Sequence, residues 1–209
     1  MAVARLMDWP SRGRGRHGAR GLLCGIGLFL LGFNSAARAA QFTVGELMGA
    51  LADTKYGTAS FTEQKYISML DLPVESSGEL LFVPPARLEK RTLTPKVETV
   101  VLDGDTLTIE RRAQKTVFQL NDYPEVAGMI VGIRATLAGD RKELERVYHL
   151  DLQGSLERWT LVLTPLDGRM TRVLARIRME GTRDEVRTVE IQLADGDRSV
   201  MSVRKTVSP

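Results

Sequence analysis

The ratio of strand patterns to helical patterns constrains this chain more than any other feature. From Thr58 onward one extended segment follows another: Thr58–Leu70, Ser77–Val83, Arg87–Leu93, Val97–Leu102, Thr106–Glu110 and Lys115–Leu120. After a helical interval come Tyr148–Leu152, Arg158–Thr164, Arg172–Met179, Glu185–Leu193 and Ser199–Thr206. Within Arg87–Leu93, Leu88, Lys90 and Thr92 alternate against Arg87, Glu89 and Arg91, so the strand has two distinct faces. Asp103-Gly104-Asp105, Gly154, Asp167-Gly168, Gly181 and Asp195-Gly196 supply turn chemistry between the runs. Regular spacing with tight turns predicts one antiparallel sheet of roughly ten strands, large enough to curl.

Little helix is available to cover such a sheet. Thr43-Val44-Gly45-Glu46 fits a capping box, and Val44, Leu47, Met48 and Leu51 then form one apolar stripe before Tyr56-Gly57 ends the segment. Pro124 suits a first helical position; Val126, Met129, Ile130, Ile133 and Leu137 recur at helical spacing up to Gly139. Arg141–Val147 adds a short further turn. Both stripes must bury themselves on the sheet. The expected fold class is therefore α+β, a curved antiparallel sheet capped by helices around an apolar interior, which makes a container for lipid-like guests. No internal repeat, low-complexity tract or linker interrupts residues 40–209, which read as one domain.

Residues 1–39 read as a secretory signal peptide. Arg12 to Arg20 form a basic start, Leu22–Phe33 an apolar run too short to span a membrane comfortably, and Ala37-Arg38-Ala39 a site for cleavage after Ala39. Cys24, the only cysteine, falls within this leader, with Leu23 where a lipoprotein acylation site needs a small residue. The leader also carries six of the 29 basic residues and one of the 26 acids, so residues 40–209 have a net charge of −2. The overall basicity therefore gives no support to nucleic-acid binding.

Catalytic chemistry finds few candidates. His149 is the single histidine after the leader, it sits in a strand pattern, and no G-x-S-x-G elbow accompanies it. Asp103 and Asp105 could pair as acid and base, but turn chemistry explains both. Without cysteine, and with one histidine, only an oxygen-ligand metal site remains open, and no calcium-loop spacing is present. No cofactor is expected. Arg172, Arg176 and Arg178 share a parity and plausibly a face, read as a solvated outer surface or, alternatively, a docking surface for lipid head groups or an acidic partner. Met48, Met69, Met129, Met170, Met179 and Met201 fit either core packing or the lining of an adaptable cavity.

An ordered set of strand patterns resembles the LolA-type lipoprotein carriers. It comprises Ala59-Ser60-Phe61-Thr62-Glu63-Gln64, Ser77-Gly78-Glu79-Leu80-Leu81-Phe82, Pro85 and Pro95, Val100–Leu107 around Asp103-Gly104-Asp105, and Arg158–Pro165 around Trp159. The set spans nearly the whole chain after the leader. The resemblance implies an unclosed β-barrel with a helical lid over an apolar cavity. It implies a monomeric periplasmic carrier that takes the acyl chains of a lipoprotein, or a related lipid, from an inner-membrane exporter to an outer-membrane acceptor, without catalysis. A lipoprotein-sensing or interaction protein on the same fold is the alternative. The candidate lipid-binding residues are Phe61, Leu80, Phe82, Leu88, Met129, Ile130 and Ile133. Two departures stand out. Pro84 occupies the place of an arginine that latches the lid in the family, and Leu88 and Lys90 stand where aromatics are common.

Overall fold

The computed structural model describes residues 41–53 and 57–206. The expected signal peptide, Cys24 and the cleavage site after Ala39 lie outside the described residues, as does Tyr56.

The chain opens with α1 (Val44–Ala52). Its capping box is complete: the Glu46 amide donates to the Thr43 hydroxyl, and the Thr43 amide donates to the Glu46 carboxylate at 2.8 Å. Six strands follow: β1 (Gly57–Tyr66), β2 (Val74–Val83), β3 (Arg87–Thr94), β4 (Glu98–Asp103), β5 (Thr106–Arg111) and β6 (Gln114–Gln119). Then come α2 (Pro124–Leu137) and α3 (Arg141–Val147). The last five strands are β7 (Tyr148–Ser155), β8 (Arg158–Pro165), β9 (Leu174–Thr182), β10 (Glu185–Leu193) and β11 (Arg198–Lys205). The two residues Gly104 and Asp105 turn β4 into β5, and Gly104 sits at φ +58°, where a Cβ is disfavoured.

All eleven strands form one antiparallel sheet in the order β6-β5-β4-β3-β2-β1-β11-β10-β9-β8-β7. The first and last strands of the sequence pair in its middle, with Ala59 opposite Lys205. The two edges, β6 and β7, do not pair, so the barrel is open, and the chain runs from one edge to the other through α2 and α3. The expected α+β class with an unclosed sheet is what the structure shows.

One face of the sheet carries a continuous register of inward residues. Leu107, Leu102, Leu88 and Phe82 form one row across β5 to β2. Glu63, Met201, Val189, Met179, Leu161 and Leu152 form another across β1 and β11 to β7. Over β7–β9 the inward residues are sealed: Trp159, Leu161, Leu163, Ile177 and Met179 are buried in one cluster with Leu47, Met48 and Leu51 of α1 and Leu144 of α3.

The sequence places the stripe of α2 on the sheet; the structure differs in how it gets there. The face that α2 packs tightly is its small-residue one, Gly128, Gly132, Ala135 and Thr136. A Cβ on Gly132 would lie 3.0 Å from Ile177 and from Tyr148, and one on Gly128 would collide with the Met170 sulfur. The Tyr148 hydroxyl donates to the Gly128 carbonyl at 2.8 Å, fixing this close approach, and burial pushes its phenol pKa up. The apolar stripe itself is only half-buried and overhangs the other half of the sheet. A second correction concerns Arg172. It lies in a 3-10 turn at Met170–Arg172 before β9 begins, so it does not share a strand face with Arg176 and Arg178. Arg178 pairs with Glu180 at 2.5 Å, and Arg176 is exposed.

Candidate lipid-binding site

The overhanging stripe of α2 and the facing strands leave a cavity of about 450 Å³ between them. Its walls include Leu80, Phe82, Leu88, Val100, Leu102 and Leu107 from β2–β5, and Val126, Met129, Ile130, Ile133 and Leu137 from α2. Met179, Val189, Ile191, Met201 and Val203 contribute from β9–β11 and Ala59 and Glu63 from β1, and the charged residues Glu89, Lys90, Asp184, Glu185 and Lys205 also border it. Laid flat, the eight adjacent strands that contribute would span about 34 Å. Only a strongly curled sheet can bring them around so small a space.

Six of the seven candidate residues line this cavity: Leu80, Phe82, Leu88, Met129, Ile130 and Ile133. Phe61 does not. Its ring is 2% exposed and occupies the space left by Gly78, its partner across β1 and β2, where a Cβ would approach the ring edge to 3.0 Å. Of the methionines, Met129, Met179 and Met201 line the cavity, Met48 and Met170 lie in the sealed core, and Met69 is exposed in the loop after β1.

Several charged groups in the wall escaped the sequence reading: Asp184, Glu185 and Lys205 near the β9–β10 turn, and Glu63 on β1. Glu63 is 5% exposed and has the same parity on β1 as Ala59 and Phe61. Its carboxylate accepts from Lys90 Nζ at 2.5 Å, Ser199 Oγ at 2.6 Å and Ser76 Oγ at 3.2 Å. Lys65 adds a second cation 3.9 Å away. Burial raises the carboxyl pKa, but the hydrogen bonds from Lys90 and Ser199 and the two lysine charges outweigh it. The group therefore titrates below the ordinary glutamate value and is ionised at neutral pH. Lys90 is a quarter exposed, and its ammonium lies 4.8 Å from the centre of the Phe61 ring. The strand alternation already put Lys90 on the face of Leu88; its partner lies 27 residues away on a non-adjacent strand.

The lid has its own tie to the sheet. Arg134 of α2 donates to the Gly104 carbonyl in the β4–β5 turn at 3.0 Å. Among the described residues this is the one side-chain hydrogen bond from α2 to the β1–β5 half. Pro84, standing where the family's latch arginine is expected, can donate none.

The residues weighed for catalysis lie elsewhere. His149 is exposed on β7, and Asp103 is exposed and paired with Arg87 at 3.3 Å; neither lines the cavity. Among the described residues no cluster of three or more His, Cys, Asp or Glu side chains is arranged to hold a metal ion.

The class of fold is an open antiparallel half-barrel with a helical cover over a largely apolar hollow. The chain belongs to the family of LolA-like outer membrane lipoprotein carrier proteins, whose sequence model matches residues 36–203. No curated protein matches the chain. Among solved structures, a LolA superfamily protein from Nitrosomonas europaea is 10% identical over 80% of this chain and 94% of its own, with a TM-score of 0.41. A chain of the Pseudomonas aeruginosa MucA/MucB complex is 17% identical, with a TM-score of 0.41; the match covers 79% of this chain but only 58% of that one. A putative outer membrane lipoprotein-sorting protein domain from Vibrio parahaemolyticus is 8% identical over 79% of this chain and 92% of its own, at a TM-score of 0.40. The family assignment rests on the match over residues 36–203, not on these distant likenesses.

Proposed function

We propose that this protein is a non-catalytic periplasmic carrier. It shields acyl chains of lipoproteins or related lipids between α2 and the β1–β5 half of the sheet and moves them from the inner to the outer membrane. The observation that carries the reading is the cavity of about 450 Å³ with a wall in which Leu, Val, Ile, Met and Phe side chains predominate. Each methylene moved from water into such a wall gains about 0.8 kcal/mol, so burial alone provides the driving force and no bond need be made or broken. Release requires that the side chains of the α2 stripe part from the β1–β5 strands, to which one side-chain hydrogen bond, from Arg134 to the Gly104 carbonyl, ties the helix. Export with cleavage after Ala39, and an existence as a monomer between an inner-membrane exporter and an outer-membrane acceptor, complete the reading.

The test is direct. The full chain, expressed with its own leader and purified from the periplasm, should carry acyl lipids detectable by mass spectrometry of an organic extract. After delipidation it should take up a fluorescent fatty acid. A lipid-free preparation that also fails to bind the fluorophore would reject the carrier reading.

A further inference from the structure

The cavity wall carries charge in two places: Glu63 with Lys90, beside the Arg87-paired Glu89, and Asp184 and Glu185 with Lys205. The Glu63–Lys90 pair is the one drawn into the sheet, with Glu63 5% and Lys90 25% exposed. We infer that Glu63 and Lys90 form a head-group end of the cavity, and that the guest is an acyl amphiphile with an anionic head. This rests on the carrier reading and specifies its cargo.

Hydrogen-bond capacity sets the sign of the head. The Glu63 carboxylate already accepts from Lys90, Ser199 and Ser76, and Lys65 stands close to its other side. It has little acceptor capacity left for a guest's hydroxyl or ammonium. Lys90 is the opposite case. An ammonium has three N–H donors, and among the described residues Lys90 places one on Glu63 while the Phe61 ring faces its charge. A donor remains, on a group that is a quarter exposed toward the cavity.

Glu63 positions the lysine. A free lysine would sample many rotamers; the carboxylate, itself held by two serines on flanking strands, pins the ammonium in one place. Lys90 sits opposite Leu80 on β2, and its stem reaches diagonally from β3 across β2 to Glu63 on β1. From that fixed head position the apolar row Phe82, Leu88, Leu102 and Leu107 under α2 provides the bed for the tail.

The experiment uses twelve-carbon probes that differ only in their heads: laurate, dodecyl phosphate, dodecanol and dodecyltrimethylammonium. Each competes with a fluorescent acyl probe on the delipidated full-length mature chain. Laurate or dodecyl phosphate should bind about tenfold more tightly than dodecanol, as expected for a charge-assisted hydrogen bond in a dry site. The cation should bind more weakly than dodecanol. Which anion is stronger tells a carboxylate head from a phosphate one. The double variant Glu63→Gln/Lys90→Met, which leaves no unpaired buried charge, should keep its affinity for dodecanol and lose the preference for the anions. Equal binding of laurate, dodecyl phosphate and dodecanol, or a preference that survives in the double variant, would overturn the head-group site while leaving the carrier reading intact. Failure of all four probes to bind the native chain would overturn both.

Discussion

The two halves of the sheet are written in the same alternating code, yet one is solid and the other hollow. On β8 and β9, Leu161, Leu163 and Ile177 are wholly buried beneath α1, α3 and the glycine face of α2. On β2–β5, Leu80, Leu88, Val100 and Leu107 point to the same side of the sheet but remain only half-buried, because just the overhanging stripe of α2 faces them. The difference lies in the cover, not in the strands. Three helices crowd over one half because Gly128 and Gly132 let α2 sink onto Tyr148, Met170 and Ile177. With α2 fixed there, its larger side chains project over the other half without filling it. A protein that must hold an oily guest can thus keep a rigid core for stability and leave the remainder of its apolar face for binding.

Core truncations should show this contrast most strongly. Leu161→Ala removes a fully buried side chain from the solid half and should cost about 3–4 kcal/mol in urea unfolding. Leu88→Ala in the hollow half should cost about 1 kcal/mol or less, because the space beside it is already open. Comparable losses at the two positions would erase the distinction. The reverse substitution sharpens it: Leu88→Trp should leave the unfolding midpoint nearly unchanged and abolish uptake of a fluorescent fatty acid. The hinge between the halves comes next. Gly132→Val has no room against Tyr148 and Ile177 and should destabilise by about 1–3 kcal/mol, with a loosened α2 visible as faster amide exchange over Pro124–Leu137.

Glu63 distinguishes the halves by pH. Its pKa is lowered in the folded protein, so the stability it contributes is complete above the ordinary value of 4.5 and is lost as pH falls through the lowered one. Unfolding midpoints followed from pH 7 downward should therefore fall through this window in the native chain, and fall less steeply in Glu63→Gln. Parallel curves would show that the pair contributes no linkage. The smallest effect belongs to Arg134→Met. Loss of the bond to Gly104 should cost about 1 kcal/mol and speed guest release from the hollow half, measured by stopped-flow transfer of a fluorescent acyl probe to vesicles.

Much of the fold was legible because it depends on local chemistry. The capping box at Thr43 and Glu46, the turn at Gly104, the start of α2 at Pro124 and the alternation through β3 are each set by residues within a few positions of one another. The cavity residues of α2 were legible for the same reason, since Met129, Ile130 and Ile133 form a stripe whichever surface they face. What the stripe faces was not legible. Helical periodicity marks large apolar residues, whereas the tight contact of α2 is made by glycines that leave no apolar signal. Arg172 was misplaced because a short 3-10 turn and a strand start look alike in a run of mixed residues. The Glu63–Lys90 pair could not be seen at all as a pair. It depends on the register across three strands, which no local pattern encodes.

Photocrosslinking with a diazirine-bearing fatty acid reports where a guest actually lies. Bound to the delipidated chain and irradiated, it should label peptides spanning Leu80–Lys90 and Val126–Leu137, and leave the β8 segment Trp159–Leu163 unlabelled. Label concentrated on Trp159–Leu163, or scattered evenly over both halves, would show that the hollow beneath α2 is not where acyl chains are held.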